Sequence, residues 1–376
     1  MHVRILLLLS IIIGLTSSNV SCTSGENSLV TSSMSHNRWL NLLNLIPDND
    51  FTQRGVYLQD YALLDEKVSQ FSKDADKQRL IFNLPLFGTD KQAYSDEEWQ
   101  KTLGFTKKDV TGSIYSFVAP SIEYQAVFGN FNKDTINRAV NTGPGNDIVE
   151  RVIYRGYEFY SWGIDREIIP SLVGNVRSTG MGYRLGLIDD FVIWVSGTNI
   201  MREMIDSYCG YIDSLADRED YQLLADELNN LGTVNAFFSS ESRSISYIEE
   251  ITKLSGVMGS EIGQRFEDNL KSVPLLKFFQ SFAVGSGIDE NGIFLAILLL
   301  NESEDRAREN GILLQQRLAQ VVQLYSGNRW ADNITQTIIQ NRQLVTIAKL
   351  YGNVYSFWDN FALNGIATYE PLLVYE

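Results

Sequence analysis

One supersecondary unit recurs along this chain, and it limits the folds open to it. In YRLGLIDDFVIWVSGTNIMREMIDSYCGYI, residues 183 to 188 read as a strand, Asp189-Asp190 as a turn, and Phe191 to Ser196 as the returning strand. Gly197-Thr198-Asn199 supply a turn and an N-cap, after which Ile200, Met201, Met204, Ile205 and Tyr208 fall on one helical stripe. A second copy runs from Phe278 to Ile288, turns at Asp289 to Gly292 and returns along Ile293 to Leu300. Asn301 with Glu304 reads as a capping box for its helix, whose stripe is Ala307, Gly311, Leu314, Leu318, Val321 and Tyr325. A looser third copy, IEYQAVFGNFNKDTINRAVN, has Asn132 or Asp134 as cap and is followed by the hairpin VIYRGYEFYSW, turning at Arg155-Gly156. Helices that each follow a hairpin lay their apolar stripes on a sheet. The expectation is an α+β fold of mostly antiparallel sheets with helices packed on one face. Two lobes are expected, an N-terminal one over residues 35–164 and a C-terminal one over 183–376, joined by the loop 165–182.

Before these units comes an apolar leader. Arg4 gives a positive start, Ile5 to Leu15 an apolar run of secretory length, and Thr16 to Ser21 a small, polar region suited to cleavage. Residues 1–21 are therefore read as a signal peptide. Asn19-Val20-Ser21-Cys22 resembles a bacterial lipobox, although Asn19 stands where an aliphatic residue is usual, so Cys22 is the expected lipidation site. Residues 22–34 then form a flexible tether, and the membrane is a partner through the lipid anchor. After residue 28 no apolar stretch reaches the roughly 20 residues needed to cross a bilayer. Plain signal cleavage, leaving a secreted or periplasmic protein, is the alternative. The chain has only one other cysteine, Cys209, read as a half-buried small apolar side chain, and nothing in the sequence calls for a bridge to Cys22.

The order of YRGYEFYSW, YRLGLIDDFVIWVSG, NIMREMIDSY, SLADREDYQLLADEL and TVNAFF is similar to that in an uncharacterised family of exported bacterial envelope proteins and lipoproteins. In that family, a domain of unknown function, a segment of the SLADDPDY type also precedes a helix. The resemblance spans about residues 110 to 320. It implies an extracytoplasmic location and a comparable fold, and brings no active site with it.

The chemistry the residues exclude is clearer than the chemistry they offer. A net charge of −15 repels phosphate backbones, so nucleic acid is not an expected partner. Beyond the leader the one histidine is His36, ahead of the folded body, which argues against Ser-His or Cys-His catalysis and against zinc. Glycines 180, 182 and 186 lead into a strand, whereas a dinucleotide loop opens a helix. No catalytic residue, metal ligand or cofactor is therefore assigned. Asp48, Asp50, Asp189, Asp190, Asp289, Glu290 and Asn291 read as turn residues; a hydrolase working through carboxylates alone is the alternative they leave open. Tyr154, Tyr157, Phe159, Tyr160, Trp162 and Tyr183 gather around the central hairpins. Tyr154, Tyr157, Tyr160, Trp162 and Tyr183 are the candidate ligand contacts, with core packing as the competing role. The functional expectation is a non-catalytic binding or structural module of the cell envelope, with an unknown protein or small molecule as ligand. A carrier of an apolar ligand, held between sheet and helices, is a third possibility.

Overall fold

The computed structural model describes residues 37–69, 95–119, 122–143, 149–165, 167, 182–254, 261–323, 327–353 and 371–376. The turns set the sheet. Arg155 and Gly156 both take positive φ (49° and 84°), as a two-residue hairpin turn between twisted strands requires; Asp189 and Gln343 (49° and 50°) open comparable turns. In chain order the elements are α1 (Arg38–Leu43), β1 (Val56–Asp60), α2 (Tyr61–Ser69), α3 (Asp96–Leu103), β2 (Val110–Ala119), β3 (Ile122–Gly129), α4 (Lys133–Thr142), β4 (Val149–Tyr154), β5 (Tyr157–Trp162), β6 (Tyr183–Ile188), β7 (Phe191–Val195), α5 (Thr198–Tyr208), α6 (Glu219–Leu231), β8 (Thr233–Ser239), α7 (Ile245–Leu254), α8 (Glu261–Ser272), β9 (Ser281–Asp289), β10 (Gly292–Leu300), α9 (Glu304–Gln320), β11 (Ile334–Arg342) and β12 (Val345–Gly352).

Among the described residues the 12 strands join one antiparallel sheet, ordered β11-β12-β10-β9-β8-β1-β2-β3-β7-β6-β5-β4. The α+β class expected from the hairpin-helix pattern is thus the fold that forms. Two stretches share one element order. The run β1-α2-α3-β2-β3-α4-β4-β5 is matched by β8-α7-α8-β9-β10-α9-β11-β12, and the two meet where β1 pairs antiparallel with β8. In the first unit the hairpin β6–β7 is inserted between β3 and β5. Residues 165–182 consequently fall between two neighbouring strands of one sheet, β5 and β6, paired through Trp162 and Tyr183.

The expectation of helices on one face needs correction. On β7, Phe191, Ile193 and Val195 share a core with Ile200, Met201, Met204 and Ile205 of α5. The intervening Val192 and Trp194 point the other way, into a core with Trp99 of α3 and Ile136 and Val140 of α4. β10 repeats this. Phe294, Ala296 and Leu298 face Leu224 and Leu228 of α6, while Leu295, Ile297 and Leu299 face Leu314 and Leu318 of α9. Strands as continuously apolar as FVIWV and GIFLAILLL need cover on both sides, so α5 and α6 take one face and α4 and α9 the other. The two edge strands stay in water. Glu150 and Arg151 on β4, and Gln340, Asn341 and Arg342 on β11, are exposed polar residues that discourage pairing with another chain.

Capping follows the sequence in one case and departs from it in another. Asn132 caps α4 as expected, accepting from the Thr135 amide at 3.0 Å. The cap of α9 is Ser303, not Asn301. Asn301 is instead fully buried: its amide nitrogen donates to the Leu299 and Leu344 carbonyls at 2.9 Å each, and its oxygen accepts from Asn310 at 2.7 Å. A buried amide must satisfy donor and acceptor alike, and this site does so.

Residues 371–376 close the structure. Leu372, Leu373 and Val374 are buried, and the Leu276 amide donates to the Val374 carbonyl at 3.2 Å. Arg317 on α9, wholly inaccessible, donates to the carbonyls of Leu372 at 2.8 Å, Pro274 at 2.5 Å and Pro371.

Candidate functional site

The five aromatic candidates divide between the two faces of the sheet. Tyr160, Trp162 and Tyr183 are buried with Trp194 under α3 and α4, where Trp162 meets Trp194 edge-on at 5.6 Å and Tyr183 lies 5.6 Å from it. They fill a core, with the Tyr160 hydroxyl donating to Asn137 at 3.0 Å. Tyr154 and Tyr157 lie on the opposite face, half-buried against the end of α5. Side chains alternate along β5, so Tyr157 and Tyr160 cannot share a surface.

Tyr154 and Tyr157 belong to a ledge at the hairpin tip. The Tyr154 hydroxyl donates to Asp206 at 2.8 Å, and Arg155 forms an ion pair with the same carboxylate. The Arg155 guanidinium stacks 3.7 Å over the Tyr211 ring, and both Arg155 and Arg202 lie 5.4 Å from the Tyr154 ring. Tyr157 meets Tyr208 edge-on at 6.5 Å, and Tyr208 donates to Asp189 at 2.5 Å. Burial, reinforced by Asp189, pushes the Tyr208 hydroxyl well above its ordinary range, so it stays a donor. Tyr211 (51% exposed) and Ile212 (39%) present the outer surface of the ledge. Alternating rings, cations and one carboxylate can grip a partner by stacking and charge-assisted hydrogen bonds. Arg155, Arg202, Asp206 and Tyr211 were not singled out from the sequence. The Arg155-Gly156 turn was visible, but its contact with α5 depends on the sheet order.

The acidic candidates lie in turns. Asp48 accepts from Gln53 at 2.7 Å and faces Arg218 at 3.4 Å, while Asp50 is exposed. Asp189 and Asp190 form the β6–β7 turn, Asp190 accepting through its carbonyl from Gly129 at 3.3 Å. Among the described residues no cluster of three or more His, Cys, Asp or Glu could hold a metal ion. A cleft between α4 and the sheet, lined by Asn137, Glu158, Tyr160 and Leu185, has room for about one water molecule. A lipid-sized ligand needs several hundred cubic ångströms, so this cleft does not favour the carrier reading.

Asp289 accepts from Tyr351 at 2.8 Å and from Lys349, whose ammonium lies 3.9 Å over the Phe294 ring. Burial works to raise the Asp289 carboxyl, but the hydrogen bonds from Lys349 and Tyr351 outweigh it and hold the group below its ordinary range. A carboxylate whose folded value is lowered adds stability that is complete above about pH 4 and is lost as pH falls through that lowered value. Asp289→Asn is therefore expected to destabilise at neutral pH, with the gap to the wild type narrowing as pH falls through that lowered value. Urea unfolding at neutral and at acid pH checks this, and a gap that does not shrink in acid would contradict it.

Cys209 departs from its sequence reading. It is buried at the end of α5, as a small apolar side chain would be, yet it is disulfide-bonded. The remaining cysteine of the chain, Cys22, lies outside the described residues, as do the signal peptide, the tether and His36.

No protein-family model matches the sequence, and no curated protein matches it. Among solved structures, crystal form I of TP0453 is similar to this chain at 10% identity with a TM-score of 0.35, the alignment spanning 85% of this chain and 97% of that one. A score at that level carries no argument about function.

Proposed function

We propose that this protein is exported and works outside the cytosol as a binding module, presenting the ledge of Tyr154, Arg155, Tyr157 and Tyr211 to its partner. The observation that carries the reading is the disulfide at Cys209. Disulfides persist in oxidising compartments and are reduced in the cytosol, so a buried bonded cysteine fits a chain that begins with an apolar leader. The ledge supports the binding half of the reading, because an exposed tyrosine stacked with arginine, Tyr211 under Arg155, is the kind of pair enriched where proteins grip partners. A membrane-held form of the same protein is favoured by the lipobox-like Asn19-Val20-Ser21-Cys22, in which a diacylglyceryl thioether on Cys22 would hold the folded body at the envelope.

Cell fractionation with N-terminal sequencing tests export. A mature chain beginning between residues 17 and 22 in the extracytoplasmic fraction is expected. Full-length protein confined to the cytosol would overturn the proposal.

A further inference from the structure

We infer that the seat of Pro371–Glu376 is a peptide-binding groove, one that accepts from another molecule an extended segment reading aliphatic, aromatic, acidic. The site is separate from the ledge of Tyr154 and Tyr211. Tyr375 forms parallel bridges to Ser244 on one side and Leu276 on the other, so this segment is a strand slotted between two edges outside the 12-stranded sheet. The Tyr375 amide donates to the Arg243 carbonyl at 3.0 Å, and the Tyr375 carbonyl accepts from the Ile245 amide at 3.0 Å. Across the groove the Leu276 amide donates to the Val374 carbonyl at 3.2 Å, and the Glu376 amide to the Leu276 carbonyl at 3.0 Å. Arg317 holds the carbonyls of Pro371 and Leu372. These bonds address backbone alone, as in strand addition, where the main chain supplies affinity and alternate side chains supply selection.

The selecting pockets are distinct. Val374 enters a cluster with Ile248 of α7 and Phe266 of α8, whereas Leu373 and Tyr375 turn to the opposite core with Phe279, Leu314 and Leu318. The Tyr375 ring meets Phe278 at 5.3 Å and Phe279 at 5.1 Å, edge-on to both, and its hydroxyl lies 3.1 Å from that of Ser242. A slot between two phenylalanines with a hydroxyl at its end fits a tyrosine. Lys277 donates to both carboxylate oxygens of Glu376 at 2.7 Å. At this end the groove opens to water, with Phe278 41% exposed.

None of these contacts requires the occupant to belong to the same chain, and the one sequence seen to fit fixes the partner's chemistry. It is an extended peptide carrying a branched aliphatic residue, an aromatic and a carboxylate in succession. A tethered occupant competes at an effective concentration on the order of millimolar. A peptide in trans therefore enters where the resident segment has been weakened.

The full chain carrying Val374→Asp tests this, because a carboxylate between Ile248 and Phe266 unseats the resident and leaves the groove's own residues unchanged. The probe is a fluorescently labelled Pro-Leu-Leu-Val-Tyr-Glu peptide, read by anisotropy against a variant whose folding is checked by circular dichroism. Saturable binding is expected, at least about tenfold tighter than to the wild-type chain, whose groove is filled. The same peptide with aspartate in fourth position is expected to bind at least about tenfold more weakly than the parent. Adding Lys277→Glu should weaken the parent peptide about threefold and shift preference toward a peptide ending in lysine. A folded variant that binds no peptide, or binds both equally, would overturn the inference. If Val374→Asp does not fold, Tyr375→Ala replaces it, leaving the slot between Phe278 and Phe279 empty, and absence of binding there would overturn the inference as well.

Discussion

Arg317→Met is expected to destabilise the fold by about 3–5 kcal/mol, the range found when one partner of a buried charged network is removed. Methionine keeps much of the side-chain length and apolar volume, so the loss isolates the guanidinium. What remains is three carbonyls, those of Pro274, Pro371 and Leu372, facing a group that cannot donate. Each buried acceptor left without a donor costs about 1–3 kcal/mol. The effect has a location as well as a size. Leu372, Leu373 and Val374 are held between α9 and the start of β9, so limited proteolysis should release the C-terminal hexapeptide from the variant before the rest unfolds. Guanidinium denaturation measures the free energy. A loss below about 1 kcal/mol, with the C-terminus still protected, would show that the carbonyls find other donors.

Trp194→Ala is the second large expectation, about 3–5 kcal/mol, as for other fully buried tryptophans. Trp194 packs edge-on against Trp162 and lies close to Tyr183, both of which the sequence offered as ligand contacts. The substitution therefore separates the two roles. If the cluster is core, stability falls and Trp162→Ala combined with Trp194→Ala gives less than the sum of the two, because the rings share contacts. Unchanged stability in thermal and denaturant unfolding would favour a ligand surface and contradict the packing described.

How much of this was legible in the sequence depends on how local each feature is. The hairpins at Arg155-Gly156, Asp189-Asp190 and Asp289–Gly292 follow from short-range turn chemistry and alternation, and they form where expected. The stripe Ile200, Met201, Met204, Ile205 is likewise a local pattern, and it is buried. The face each helix would take was not local. α4 and α5 both follow strands in similar patterns, yet they cover opposite sides, because β7 carries large apolar residues at every position. The insertion of β6–β7 between β3 and β5 was hidden for the same reason: pairing partners far apart in sequence leave no mark within a window of residues. The candidate site suffers most from this. Tyr154 and Tyr160 are close in sequence and share an aromatic cluster on paper, but strand alternation sends them to different faces. The ledge that Tyr154 does join depends on Asp206 and Tyr211, more than 50 residues later. The burial of Cys209 at the end of α5 followed from its helical stripe, but its bonded state did not, because two cysteines alone signal no framework.

The most direct test of the account is the intact mass of the mature protein isolated without reductant. A chain that has lost its leader and begins between residues 17 and 22 is the result expected. A chain retaining residues 1–21 would contradict it.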